Sequence, residues 1–171
     1  MEIKEGATAP KFELESDAGK RVTLKAYAGK WLVVYFYPKD NTPGCTREAQ
    51  AFSDAEGQLR KLGVEVVGIS RDSVATHCGF RDKVGINFPL LSDPELVAHN
   101  AYGAWGTKTM YGKSVQGVIR STFLVAPDGK ISRVWRGVKV DGHVDKVIAA
   151  IEEASSGHKS AAKEKKKSKG A

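Results

Sequence analysis

Two short apolar runs restrict the folds open to this chain more than any other feature: WLVVYFY at residues 31–37 and VEVVGIS at residues 64–70. Neither is long enough to span a bilayer. The first is continuous rather than alternating, as in a central strand with both faces buried, and it ends at Pro38. The second reads as another buried strand. Between them Ala49, Phe52, Ala55, Leu59 and Leu62 recur at helical spacing over residues 46–62, and Gly63 stops that helix. Strand, helix, strand implies two parallel strands joined by a crossover.

The remaining segments extend this unit. Residues 11–14 and 21–24 flank SDAG and read as a small hairpin. Residues 74–84 form a helix, residues 88–91 a short strand, and Asp93-Pro94 opens a helix through about Ala101. Residues 102–117 are read as a Gly-rich connection. Residues 118–126 and 130–138 alternate around Asp128-Gly129, a hairpin signal. Asp141 is placed as the cap of a last helix carrying Val144, Val147, Ile148 and Ile151 on one face. Pattern alone gives an α/β class, with a mixed sheet and helices on both faces.

The net charge of +7 suggests nucleic acid until it is located. Residues 155–171 hold six Lys and one Glu, so five of the seven net charges lie there and the body is near neutral. With no aromatic and almost nothing apolar, this tail is expected to be a disordered, solubilising appendage to a folded domain over residues 1–154. Any nucleic-acid contact is then weak and made by the tail; a non-enzymatic binding or holdase role through the tail is the alternative. The start, MEIKEGATAPKF, lacks the apolar core of a secretory signal, so no membrane association and a cytoplasmic location are expected.

Two cysteines, Cys45 and Cys78, are too few for a disulfide scaffold. Neither is in a C-x-x-C pair, which counts against structural zinc and against a disulfide reductase. Cys45 follows Thr42-Pro43-Gly44 at the head of a helix. Free N–H groups and the helix dipole favour the thiolate there, and the expected thiol pKa falls from about 8.5 to between about 3.5 and 7.5. The same N–H groups can bind a small polar substrate. The alternative is a small buried hydrophobe. None of the four His suggests a metal-ligand set. His77 and Cys78 are adjacent, and adjacent helical residues point about 100° apart. No His is designated as the base of a cysteine hydrolase.

The stretch PKDNTPGCTRE resembles the peroxiredoxin signature P-x-x-x-T-x-x-C, with Pro38, Thr42 and Cys45 in place, and is most similar to the peroxiredoxin Q, or bacterioferritin comigratory protein, subfamily. NFPLLSDP (87–94), KTMYGK (108–113) and GVIRSTFLVAPDGKI (117–131) resemble that subfamily in the same order, so the likeness covers roughly residues 4–153. The resemblance implies a thioredoxin-like fold and an antioxidant thiol peroxidase that needs no cofactor or metal. ROOH and two thiols would give ROH, water and a disulfide. By resemblance Cys45 is the peroxidatic nucleophile, Thr42 hydrogen-bonds thiolate and peroxide, and Pro38 shields the sulfur. Arg120 pairs with the thiolate and Glu48 supports Arg120. An arginine in the apolar strand IRSTFLV needs such a reason, unless it is a surface residue at the strand end. Many members carry a resolving cysteine five residues after the first, where this chain has Gln50; others place it in the following helix. Cys78 lies there, about one turn before the expected position. Two readings stay open: an intramolecular Cys45–Cys78 disulfide recycled by thioredoxin-like reductants, or a one-cysteine enzyme reduced by external thiol. A monomer is expected by resemblance only.

Overall fold

The computed structural model describes residues 3–154; residues 1–2 and the Lys-rich segment 155–171 lie outside the described residues. In chain order the elements are β1 (Glu13–Ser16), β2 (Arg21–Thr23), β3 (Trp31–Phe36), α1 (Pro43–Asp54), α2 (Glu56–Lys61), β4 (Val64–Ser70), α3 (Val74–Val84), β5 (Leu90–Ser92) and α4 (Val97–Tyr102). They continue with β6 (Trp105–Met110), β7 (Lys113–Val118), β8 (Ser121–Val125), β9 (Ile131–Arg136) and α5 over residues 143–154.

The main sheet runs β2-β1-β5-β4-β3-β8-β9. The two apolar runs are its interior: β3 pairs in parallel with β4, from Trp31↔Val64 to Phe36↔Ile69, and antiparallel with β8. Both faces are covered, which is why β3 shows no polar alternation. Val33 and Tyr35 face one core with Ala49, Phe52, Leu59, Phe80 and Val147, under α1, α2, α3 and α5. Leu32, Val34 and Phe36 face the other, with Phe12, Ala98, Tyr102 and Phe123, under α4 and the N-terminal segment. This is the thioredoxin-like layering, a mixed sheet between helices, and the N-terminal hairpin adds its edge. Among the described residues no helix is long and apolar enough to cross a membrane.

Several local expectations are corrected. The helix expected over residues 46–62 begins earlier, at Pro43, and is broken at Ala55 into α1 and α2. The helix expected from Asp93-Pro94 begins at Val97; the Asp93 carboxylate instead accepts from the Val97 and His99 N–H groups at 3.0 and 2.9 Å. The expected connection over 102–117 contains a β-hairpin, β6–β7, closed by Tyr111 and Gly112 at φ 53° and 77°. Two positive φ values match the tight turn that hairpins favour, but a tyrosine in the first position conceals it in the sequence. Arg120 lies in the link between β7 and β8, not within the strand. Asp141 does not begin α5, which opens at residue 143 after Gly142 at φ 76°; its carboxylate faces Arg47 at 3.8 Å.

Gly68 in β4 is where the sheet meets an aromatic layer. A Cβ there would lie 2.9 Å from Tyr35 Cζ, and that ring is stacked on Phe52 with centroids 4.7 Å apart. Gly68→Ala is therefore expected to destabilise the protein by about 1–3 kcal/mol. A wild-type urea midpoint for this variant would show that the ring can yield.

Candidate active site at the head of the first helix

The chain leaves β3 through Tyr37 and Pro38 and turns at Asn41, whose φ is 66°. Thr42 is the extended N-cap of α1 and Pro43 its first residue, where a missing N–H costs nothing. The first ladder bond is Thr46 N–H to Thr42 O at 2.9 Å, so helix geometry leaves the N–H groups of Gly44 and Cys45 unused by the ladder. Cys45 is thus in the first turn, and it is buried.

Arg120 is brought to this turn from the other side of β3. Its carbonyl accepts from Val138 N–H at 3.0 Å. Its Nη2 donates to Cys45 Sγ at 3.2 Å and its Nη1 to Glu48 Oε1 at 2.5 Å. Cys45 and Glu48 are three apart on α1 and so share a face. A cation therefore bridges a thiol and a carboxylate in a nearly dry place, with Glu48 only 1% exposed. Burial raises the Glu48 carboxyl to about 7, against the lowering influence of Arg120. Burial works against the Arg120 charge, but Glu48 and then Cys45 outweigh it and hold the guanidinium above its usual range. The arrangement sets a direct cationic donor against the sulfur at the positive end of the helix. Gly44 leaves room above it: a Cβ there would approach Arg120 Nη2 at 3.4 Å and Val140 at 3.9 Å.

The other expected residues fall differently. The Thr42 hydroxyl donates to Lys39 O at 2.7 Å rather than reaching the thiol, and gives no side-chain cap. Pro38 is half-buried just beyond the end of β3. Gln50 is exposed and donates to Asp54 at 3.1 Å. Cys78 lies in the second turn of α3, half-buried, with Sγ donating to Asp17 O at 2.9 Å in the β1–β2 turn. It borders a cavity of about 540 Å³ with Lys20, Arg81 and Asp82. The two thiols are thus held by different elements. A larger cavity, about 650 Å³, lies at Phe12, Leu24, Leu32 and Val125, and none of the expected site residues lines it.

Two buried histidines were not singled out from sequence as neighbours of the site. His143 faces Thr122 Oγ1 at 2.8 Å, and burial, with Lys146 and Arg120 nearby, lowers it to about 4. His77 Nδ1 meets Asp40 Oδ2 at 2.6 Å, and its Nε2 donates to Leu91 O at 3.0 Å. A signal for His77 existed. His77, Phe80 and Val84 share one face of α3, and a polar residue on an apolar face calls for a buried partner.

Residues 6–134 match the AhpC/TSA family. The chain is 48% identical over 138 residues to peroxiredoxin Bcp of Xanthomonas campestris, covering 81% of this chain and 86% of that one. It is 40% identical over 151 residues to peroxiredoxin Bcp of Escherichia coli K12, covering 88% and 97%. A solved structure of the Xanthomonas campestris bacterioferritin comigratory protein, studied for its alkyl peroxide reduction activity, superposes with a TM-score of 0.81 at 45% identity, covering 84% of this chain and 92% of that one. The chain belongs to the AhpC/TSA family, among its peroxiredoxins of the Bcp, or peroxiredoxin Q, kind.

The raised Glu48 carboxyl has a consequence for stability. It ionises at about 7 in the fold against 4.5 as its ordinary value, so the native state holds the proton more tightly. Its contribution is fully present below about pH 4.5 and is lost as pH rises to about 7, a change of about 3 kcal/mol. Glu48→Gln should remove that part of the pH dependence. Parallel stability profiles of wild type and variant in urea titrations from pH 4.5 to 7.5 would show that the carboxyl is not held in this way.

Proposed function

We propose that Cys45 is the nucleophile of a thiol-dependent peroxidase acting on hydrogen peroxide and organic hydroperoxides. The observation that carries this reading is the half-buried Arg120 guanidinium shared between Cys45 Sγ and Glu48 at the open end of α1. The Cys45 thiolate attacks the terminal peroxide oxygen, the O–O bond breaks, and the sulfur becomes a sulfenic acid. The leaving alkoxide takes a proton to give the alcohol, or water from hydrogen peroxide. Negative charge moves from sulfur to the leaving oxygen, and Arg120 with the N–H groups of Gly44 and Cys45 is placed to follow it. Glu48 holds the guanidinium in orientation. The Thr42 hydroxyl, in donating to Lys39 O, keeps its oxygen lone pairs to accept the peroxide O–H. Pro38 limits access of water. The sulfur carries the redox change, so the step calls for no cofactor or metal.

Cys78 is read as the resolving thiol, giving a Cys45–Cys78 disulfide and water, with a thioredoxin-like protein returning both to thiols. A second reading has its own support: Cys78 is engaged with Asp17 O and not with the Arg120 site, which suits a one-cysteine enzyme reduced directly by an external thiol. The working unit is proposed to be a monomer, with 155–171 an appendage outside the catalytic domain.

Cys45→Ser should abolish peroxide consumption, and deletion of 155–171 should leave it unchanged; turnover by the serine variant would end the assignment. Arg120→Met should slow oxidation of Cys45 about 10²–10³-fold, the worth of one donor to developing charge. Stopped-flow oxidation at the wild-type rate would remove Arg120 from the chemistry. A non-reducing peptide map after one equivalent of peroxide decides between the two readings: a Cys45–Cys78 peptide supports resolution by Cys78, and a free Cys78 beside oxidised Cys45 supports the one-cysteine enzyme.

A further inference from the structure

The segment that leads into Cys45 and the helix that carries Cys78 are joined by one buried polar cluster. Asp40 sits in the loop before α1 and His77 is the residue before Cys78; they are 2% and 0% exposed. Asp40 Oδ2 meets His77 Nδ1 at 2.6 Å, and Asp40 Oδ1 accepts from Tyr37 Oη at 2.6 Å. His77 Nε2 faces Leu91 O, which can only accept, so that nitrogen carries a proton. One proton is then shared between Nδ1 and the Asp40 carboxyl in a short, fully buried bond. The Asp40 N–H donates to Asp72 Oδ2 at 2.9 Å, and Asp72 Oδ2 also accepts from Ser70 Oγ at 2.7 Å. Asp40, Asp72 and His77 stand close enough to hold a cation. Both His77 nitrogens are already in hydrogen bonds, however, so the cluster is better explained as a polar fastening.

We propose that the Asp40–His77 pair is a latch that holds both cysteine-bearing segments in their reduced positions and sets the rate of disulfide formation. This rests on the reading of Cys78 as the resolving thiol. Resolution forms an S–S bond as Cys78 sulfur displaces hydroxide from the Cys45 sulfenic acid, and the Cys78 proton leaves with it as water. A disulfide requires the two Cα atoms within about 7 Å. Cys45 Sγ is engaged by Arg120 and Cys78 Sγ by Asp17 O, so each sulfur gives up its present partner to bond the other, and in the proposed step at least one segment moves with it. Unwinding α3 around Cys78 displaces His77. Unwinding the head of α1 pulls on the loop holding Asp40. Either route breaks the same bond, so its strength acts on resolution whichever segment moves. Asp40 and His77 are positioning residues in this scheme and touch neither peroxide nor sulfur.

The test uses the full chain with His77→Gln, Asp40→Asn and the double variant. After one equivalent of peroxide, quenched samples are mapped for the Cys45–Cys78 peptide over time; this phase is independent of peroxide concentration and so separates from Cys45 oxidation. Each single variant is expected to form the disulfide about ten- to a hundredfold faster, the range set by losing one short buried hydrogen bond between ionisable groups. The double variant should be no faster than the quicker single, because the two groups act as one pair. Fewer Cys45 sulfinic acids per turnover should accompany the gain. Hydrogen exchange on the reduced proteins gives a second reading that needs no disulfide: amides of residues 38–46 and 74–80 should gain exchange together in each single variant. Unchanged disulfide rates with the Cys45–Cys78 peptide present would overturn the latch and leave the resolving role intact. Exchange rising in only one segment would overturn the shared fastening. A Cys78 that stays free in wild type would overturn the resolving role and the gating built on it.

Discussion

The placement of one guanidinium organises this structure. Arg120 is half-buried beside α1, and a charge there is tolerated only with partners. Glu48 supplies one and Cys45 the other, at 2.5 and 3.2 Å. The carboxyl is as buried as the thiol, and that burial raises it to about 7 against the lowering influence of Arg120. Two further atoms nearby, Tyr35 Oη and Glu48 Oε2, are buried without a hydrogen-bond partner among the described residues. The fold therefore accepts poorly satisfied polarity around one sulfur, a cost that ordinary packing would avoid.

The sheet makes that placement possible. β3 delivers the loop before Cys45, and β8 begins directly after Arg120 beside it in antiparallel register, Phe36↔Ser121. Residues 75 apart in sequence thus meet at one end of two adjacent strands. The head of α1 adds its unused N–H groups at the same point.

A second buried polar cluster lies in the same loop, where Asp40 meets His77. Between the two clusters the Cys45 segment is held by short side-chain hydrogen bonds at both ends, one through Arg120 and one through Asp40. Polar fastenings suit a segment that must both hold a geometry and release it. They are strong while dry, and water can replace them once an opening begins.

Much of the frame was readable from residues alone. The two apolar runs became β3 and β4, and the 3.6-residue spacing of Phe52 and Leu59 placed one helical layer, because periodicity reports which faces are buried. Cys45 at a helix head followed from Pro43 and Gly44, which constrain the backbone locally. The β6–β7 hairpin was hidden because Tyr111 holds a positive φ that its side chain disfavours. Asp141 resembled a cap but stands outside α5, since local propensity does not choose among nearby polar residues. The thioredoxin-like fold and the roles of Thr42, Glu48 and Arg120 came from resemblance, and Thr42 turned out to face Lys39 O. Local chemistry and periodicity thus determined by themselves the two central strands, the helical layer beside them and the helix head on which Cys45 sits. Only the tertiary structure decided which distant charges meet: Arg120 with Cys45, His77 with Asp40, and Cys78 with Asp17. Those contacts depend on strand order and on the desolvation that packing imposes, and neither is written in any local stretch of sequence.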